Sequence, residues 1–215
     1  MNTKRAQVKS CALFHFIVIY HSMKTVLGID CSSSTIGLGV LEIDNKNNIK
    51  FISVSYIKPI KDGTIIERLV DTRNRLQEVI LKYKPDYIGV EEIVKFMKGK
   101  SSANSIIMLA TFNRMAGLLS YDFLKKPPEL FNVLSIRHGI KINNIFPKKE
   151  EIAELTAKHL GITFPYEYSK KGKIKVENED MADGLAVALY YSFILTGKIV
   201  KKTKKIKVVK RKVKK

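Results

Sequence analysis

Cysteine is scarce in this chain, with only Cys11 and Cys31 among 215 residues. Two cysteines provide neither a disulfide framework nor a CxxC metal site, so a reducing, intracellular setting is expected. Histidine is nearly as sparse. His15, His21, His138 and His159 show no ligand spacing, and only His138, beside Arg137 at an expected strand end, calls for inspection. Long apolar runs are missing too. Cys11 to Tyr20 is about half the roughly 20 residues a spanning helix needs, and His15 interrupts it. Lys4, Arg5 and Lys9 precede that stretch, but no small-residue cleavage site follows cleanly, which argues against a signal peptide. No internal repeat is apparent, so a solenoid is not expected.

Acid is the other shortage. Twenty Asp and Glu stand against 39 Lys and Arg, a formal charge of +19. Lys198–Lys215 holds eleven of the basic residues and no acid, so the remainder carries 19 − 11 = +8. The excess therefore belongs partly to a tail and partly to the folded body. Such a field attracts polyanions, either nucleic acid or an anionic membrane surface. Hydrophobic residues make up 45% of the chain, enough for one good core and one domain. Met23 directly precedes an apolar strand, so residues 1–22 read as an extension or misassigned start. Residues 23–197 then form the domain, and 198–215 a tail with no core-forming pattern, expected to be disordered.

Apolar runs bounded by Gly, Asn and Lys predict strands at 25–30, 36–43 and 50–57, with a hairpin turn at Asn45–Asn48. Helical spacing of Ile65, Ile66, Leu69, Leu76, Val79, Ile80 and Tyr83 predicts an amphipathic helix over about 64–83. Lys84-Pro85-Asp86 stops it before a strand at 87–91. A second helix is expected over 101–124, a strand over 131–136, and a helix over 148–159 behind Pro147. A basic loop from Gly161 to Val176 leads to a last, buried helix from Met181 to Leu195. The order βββαβαβαα implies an α/β domain in which a mixed sheet is flanked by helices.

The few acids are placed informatively. Val26-Leu27-Gly28-Ile29 delivers Asp30 at a strand end, and Tyr87-Ile88-Gly89-Val90 does the same for Glu91. Asp180 and Asp183, three apart, share one face of the last helix. Adjacent strands lie about 4.8 Å apart, so Asp30 and Glu91 can meet if their strands are neighbours. Converging carboxylates suit hard cations, and two such ions can clamp the attacking and leaving oxygens of a phosphodiester. In so basic a chain that points first to a nuclease. The structural alternatives are that Asp30 caps the turn through Ser32–Ser34 and that Asp180 is an N-cap carboxylate. Glu92 competes with Glu91, although successive strand residues face opposite ways. Cys31 has no evident base beside it and is expected to pack.

Three segments resemble the RuvC-type Holliday junction resolvases. Gly28-Ile29-Asp30-Cys31-Ser32-Ser33-Ser34-Thr35-Ile36-Gly37-Leu38-Gly39-Val40 is similar to that family's opening strand motif. Pro85-Asp86-Tyr87-Ile88-Gly89-Val90-Glu91-Glu92 resembles its second motif, and Asp180-Met181-Ala182-Asp183-Gly184-Leu185-Ala186-Val187-Ala188 its final helix motif. The likeness runs over roughly 24–195 with order and approximate spacing kept. Cys31, Ser32 and Ile36 stand where the bacterial pattern has Pro, Gly and Thr, which looks closer to phage-type members.

The resemblance implies an RNase H-like fold with a five-stranded mixed sheet and a homodimer. It also implies Mg2+ dependence, with two ions per site and Mn2+ as a substitute, and paired nicks in four-way DNA junctions in the cytoplasm, with no membrane role. It assigns Asp30, Glu91, Asp180 and Asp183 as metal-binding carboxylates.

DNA-contact candidates are Lys95, Phe96, Lys98 and Lys100 in the loop after Glu91, with Arg137, Lys148 and Lys149. Phe96 falls two residues later than the family's aromatic, at whose position this chain has Val94. Lys170, Lys171 and Lys173 are further phosphate candidates. Helix 101–124 is the expected dimer contact, because Ile106, Ile107, Phe112, Met115, Leu118 and Leu119 exceed one sheet-facing stripe. Two rival readings are a non-catalytic DNA-binding protein on the same fold and an actin-like or sugar-kinase-like ATPase. The four acids argue against the first, and chain length argues against the second.

Overall fold

The computed structural model describes residues 23–93 and 102–200. The expected extension at 1–22, the loop candidates Lys95, Phe96, Lys98 and Lys100, and the tail beyond Val200 lie outside the described residues. Strands β1 (Lys24–Cys31), β2 (Ile36–Ile43) and β3 (Ile49–Ile57) form an antiparallel meander. Asp44 closes the second hairpin, its carboxylate accepting from the Lys46 and Asn48 backbone N–H groups, both at 2.8 Å. Helix α1 (Ile65–Tyr83) opens with a capping box between Thr64 and Glu67 and ends at Lys84, which adopts a left-handed conformation at φ 44°. Strand β4 (Tyr87–Glu91) then enters parallel to β1. Helix α2 (Ala103–Leu124) and strand β5 (Glu129–Phe131) follow, giving a five-stranded sheet of order β3-β2-β1-β4-β5. The mixed sheet flanked by helices is the architecture the patterning implied.

Helices cover both faces. Leu27, Ile29, Leu38, Val40, Ile88 and Val90 pack against Leu76 and Ile80 of α1 and Phe112, Ala116 and Leu119 of α2. Val26, Leu41 and Ile43 pack on the opposite layer, built from α5 (Glu177–Leu195), α3 (Val133–Ile140) and α4 (Ile152–Leu160). Burial on both faces explains why β1 and β2 read as continuous apolar runs without alternation. Helix α5 is buried on most sides and lies directly on β1 and β2. Two glycines permit that approach. A Cβ on Gly37 would stand 1.7 Å from the Asp180 carbonyl oxygen, and one on Gly184 would stand 2.5 Å from the Gly37 carbonyl carbon. Among the described residues no helix is long and apolar enough to cross a membrane.

Three expectations need correction. The strand expected at 131–136 ends at Phe131, and Val133–Ile140 is helix α3. The Asn132 side chain accepts from the Leu134 N–H and starts the helix, while Ile136 and Ile140, four apart, are its buried stripe. A short apolar run carries no periodicity long enough to separate strand from helix, so Arg137 and His138 stand on a helix. Second, α5 begins at Glu177, four residues before the expected start, so Asp180 sits inside its first turn. Third, Phe112 (0% exposed) and Leu119 (6%) belong to the monomer core and cannot serve as dimer contacts. The exposed apolar side chains of α2 are Ile107, Leu118 and Tyr121.

Candidate active site

Parallel pairing of β1 and β4 matches Ile29 with Val90, so Asp30 and Glu91 are the next residues on adjacent strands. Asp30 also pairs across to Gly37 on β2. Because Gly37 has no side chain, the first turn of α5 settles on it and brings Asp180 over the same strand end. The Thr35 hydroxyl hydrogen-bonds the Asp180 carboxylate. One helical turn further, Asp183 is within electrostatic reach of Asp30 and Glu91. The four acids picked from the sequence therefore meet at one corner of the sheet.

Their electrostatics show how unfavourable that meeting is. Burial, followed by the charges of Glu91, Asp183 and Asp180, pushes Asp30 well above the usual carboxylate range. Burial and then Asp183 push Glu91 up to about 7. Burial raises Asp183 to about 6 against the opposing pull of Lys149 and Arg137. Asp180 is raised as well, again mainly by burial. Desolvation and like charge both disfavour ionised carboxylates, and here they act together.

Lys149 supplies most of the counter-charge. It stands in the 3-10 turn Lys149–Glu151 that leads into α4, with Nζ 3.1 Å from Glu179 Oε2 and 4.0 Å from Asp183 Oδ2. Partial burial pulls its own pKa down, but the Glu179 hydrogen bond and the charges of Asp183, Glu179 and Asp180 outweigh that, and the net direction is up. Arg137, from α3, lowers both Glu91 and Asp183. Lys148, one residue before Lys149, is exposed, and its backbone N–H donates to Glu151 at 2.8 Å.

The structural alternatives for the acids do not describe this site. The turn after β1 is made by Ser32, whose hydroxyl accepts from the Thr35 N–H at 2.9 Å and donates to the Thr35 carbonyl at 2.7 Å, leaving Asp30 uninvolved. The N-cap of α5 is Val176, not Asp180. Of the two glutamates, Glu91 is the one whose charge reaches Asp30, while the Glu92 backbone N–H donates to the Phe131 carbonyl at 2.8 Å. Cys31 is 5% exposed, and burial raises its thiol well above its ordinary pKa, so it packs as a small apolar group. His138 stacks edge-on against Phe146 at 4.9 Å.

The sequence reading passed over some residues that shape the site. Asn113 of α2, 2% exposed, donates from Nδ2 to the Glu91 carbonyl at 2.8 Å and pins the end of β4. A lone amide on an apolar helix face was the available signal. Thr35 had none stronger than its place inside the first motif, and Glu179 none beyond its place next to Asp180.

The donor set suits a hard cation. It consists only of carboxylate oxygens, it is largely buried, and each acid raises the cost of ionising the next, a cost a divalent ion would remove. Among the described residues no three His, Cys, Asp or Glu side chains are already drawn into a metal-holding group. Lys149 and Arg137 offset part of that cost at Asp183 and Glu91.

Comparison with known proteins gives relatives in sequence and in fold. The family model for "Crossover junction endodeoxyribonuclease RuvC" matches residues 26–126. The RuvC protein of Prochlorococcus marinus is 28% identical over 164 residues, covering 76% of this chain and 95% of its own length. That of Fusobacterium nucleatum is 25% identical over 179 residues, covering 81% and 83%. In fold, the chain is similar to T. thermophilus RuvC solved with a Holliday junction substrate, with TM-score 0.61 at 19% identity over 80% of this chain and 94% of that one. It is also similar to the yeast mitochondrial Holliday junction resolvase Ydc2, with TM-score 0.53 at 16% identity over 78% and 77%.

Proposed function

We propose, from the RuvC family model matched over residues 26–126 and the RuvC relatives that span most of the chain, that this protein is a metal-dependent endonuclease of the RuvC type that resolves four-way DNA junctions by paired nicks. The observation that carries this reading is the partly buried meeting of Asp30, Glu91, Asp180 and Asp183 beside Lys149 and Arg137. No structural need accounts for four acids held where each disfavours the charge of the others. A site that receives cations and phosphate does account for them.

In this proposal the four carboxylates hold two Mg2+ ions, with Mn2+ as a substitute. Such ions lower the pKa of a water and stabilise charge on the attacking and leaving oxygens. Asp30 and Glu91, on adjacent strand ends, set the spacing of the oxygen donors. Asp180 is oriented by the Thr35 hydroxyl. Lys149 and Arg137 offer positive charge to the scissile phosphate beside the acids, while Lys148 and the loop candidates Lys95, Phe96, Lys98 and Lys100 extend the DNA contact. The substrate is branched DNA, encountered in the cytoplasm.

A symmetric dimer fits this task, since a four-way junction presents two equivalent strands and each chain has one site. Ile107, Leu118 and Tyr121 of α2 are 62%, 68% and 48% exposed. With Thr111 and Arg114 between them they lie at 107, 111, 114, 118 and 121, one continuous helical stripe. That stripe is the proposed contact with a second copy.

Synthetic four-way junctions and linear duplex, incubated with and without Mg2+, test the reading. Paired nicks in the junction alone, and only with the ion, are expected. No cleavage with any divalent cation, or equal cutting of duplex, would overturn it.

A further inference from the structure

Between α4 and α5 the chain builds a small arm. Tyr168 and Ile174 form an antiparallel bridge, the Ser169 N–H donates to the Lys173 carbonyl at 2.7 Å, and the Lys175 N–H donates to the Glu167 carbonyl at 3.0 Å. Gly172, at φ +73°, makes the reversal at the tip, a conformation that favours glycine. The base of the arm is clamped by Asn178, 3% exposed. Its side-chain oxygen accepts from the Glu167 N–H, and its Nδ2 donates to the carbonyls of Glu167 and Lys175. Asn178 lies two residues before Asp180 on the same helix, so the arm is tied in register to the carboxylate cluster.

The arm is charged on one side of zero only. Its one acid, Glu167, is taken by Lys175 at 2.8 Å and by the Tyr56 hydroxyl at 3.3 Å. Lys170, Lys171 and Lys173 at the tip are exposed and have no ion-pair partner among the described residues. Beside them Tyr168 is 57% and Ile174 59% exposed. A groove of about 390 Å³ lies beside the arm, lined by Tyr166, Ile174 and Lys175 together with Lys149, Glu150 and Glu179, the last of these paired with Lys149. The groove thus shares Lys149 with the carboxylate cluster, where Nζ stands 4.0 Å from Asp183.

We propose that this arm is a second DNA-contacting element, gripping the sugar–phosphate backbone of the strand that leaves the carboxylate cluster. Lys170, Lys171 and Lys173 contact successive phosphates, and Tyr168 offers a flat face to a base or sugar between them. The arm does this without reading sequence, because lysines on phosphate position a strand and do not specify it. This inference rests on the nuclease reading, which supplies the strand. An acidic protein would satisfy the same lysines, but the groove shares Lys149 with the carboxylate cluster, and that favours nucleic acid.

The test is the full chain with Lys170→Gln, Lys171→Gln and Lys173→Gln together, compared with wild type for binding to four-way junctions from 50 to 200 mM salt. Three lost phosphate contacts should reduce the slope of log K against log salt by about 2.7. The affinity lost across that range then shrinks by about 40-fold. The melting temperature should stay unchanged, since these side chains are exposed. Tyr168→Ser should weaken binding without changing the slope. An unchanged slope in the triple variant, while wild type cuts junctions, overturns the arm alone. A triple variant that loses affinity for polyglutamate but keeps its DNA slope also overturns it. Wild-type protein that neither binds nor cuts DNA overturns the nuclease reading and the arm together.

Discussion

Replacing Asp183 by Asn should make the metal-free protein more stable at pH 8 and change it little at pH 4. The folded environment raises this carboxyl from an ordinary 3.8 to about 6, through burial and the neighbouring acids, even with Lys149 and Arg137 opposing. A raised folded pKa means that the fold disfavours the charged form. Below about pH 3 the group is protonated in both states and carries no penalty, and at pH 4 the penalty has reached only about 0.5 kcal/mol. As pH rises through 6 the penalty develops in full, and at about 1.36 kcal/mol per pKa unit it reaches about 3 kcal/mol. The side chain is 14% exposed, so solvent screening reduces this little. Asparagine keeps the shape and removes the charge, at the cost of an amide that lacks the carboxylate's contact with Lys149. The expected gain is about 2 kcal/mol, or a melting temperature some 4–8 °C higher for a domain of this size.

Urea denaturation of wild type and variant in EDTA at pH 4, 6 and 8 measures this gain. With Mg2+ present the order should reverse. A site holding ion at 100 times its Kd gains about 2.7 kcal/mol, and the variant loses most of that. A variant no more stable than wild type at pH 8 in EDTA, or equally stabilised at pH 4, would refute the electrostatic account.

Asp30→Asn should abolish junction cleavage while leaving binding intact or tighter, since a less negative site repels phosphate less. Cleavage at the wild-type rate would remove Asp30 from the mechanism. Gly37→Ala should cost at least about 3 kcal/mol, read from urea midpoints, because the new methyl would enter the Asp180 carbonyl at 1.7 Å and lift α5 from the sheet. An unchanged midpoint would show that α5 does not depend on that contact. In sedimentation at micromolar concentration wild type should run at twice the chain mass and Leu118→Lys at one. A one-chain mass for wild type, with junctions nicked on a single strand, counts against the dimer. Deleting Lys198–Lys215, with its eleven basic residues, should weaken binding to every DNA form and flatten the salt dependence. An unchanged slope there would show that the tail makes no phosphate contact.

Much of this protein was legible in local pattern alone. The run from Lys24 to Cys31 reads as a strand because a β-strand buried on both faces needs apolar residues at every position, and few other elements do. Helix α1 announces itself through its apolar stripe and the Thr64–Glu67 box, both short-range features. Asp30 and Glu91 could be picked because an acid closing an apolar strand is costly unless something uses it. Patterning failed where the signal was shorter than its period. Phe131 to Ile136 looks like a strand until Asn132 caps a helix whose stripe is only Ile136 and Ile140. Helix α5 was expected to start late because its first turn is acidic and polar, and periodicity registers only the apolar residues that follow.

Tertiary structure alone decided which groups meet. No spacing in the chain could place Lys149 at 3.1 Å from Glu179 and 4.0 Å from Asp183, or tie Asn113 to the end of β4. Nor could it separate Phe112 and Leu119, which fill the core, from Leu118, which faces outward one residue away. Those outcomes depend on how α2, α4 and α5 dock on the sheet. Docking is set by side-chain volume and by backbone approach at Gly37 and Gly184, quantities that exist only between segments distant in sequence. The identity of the four acids was therefore a property of the chain. Their raised pKa values, and the counter-charges that make them tolerable, are properties of the fold.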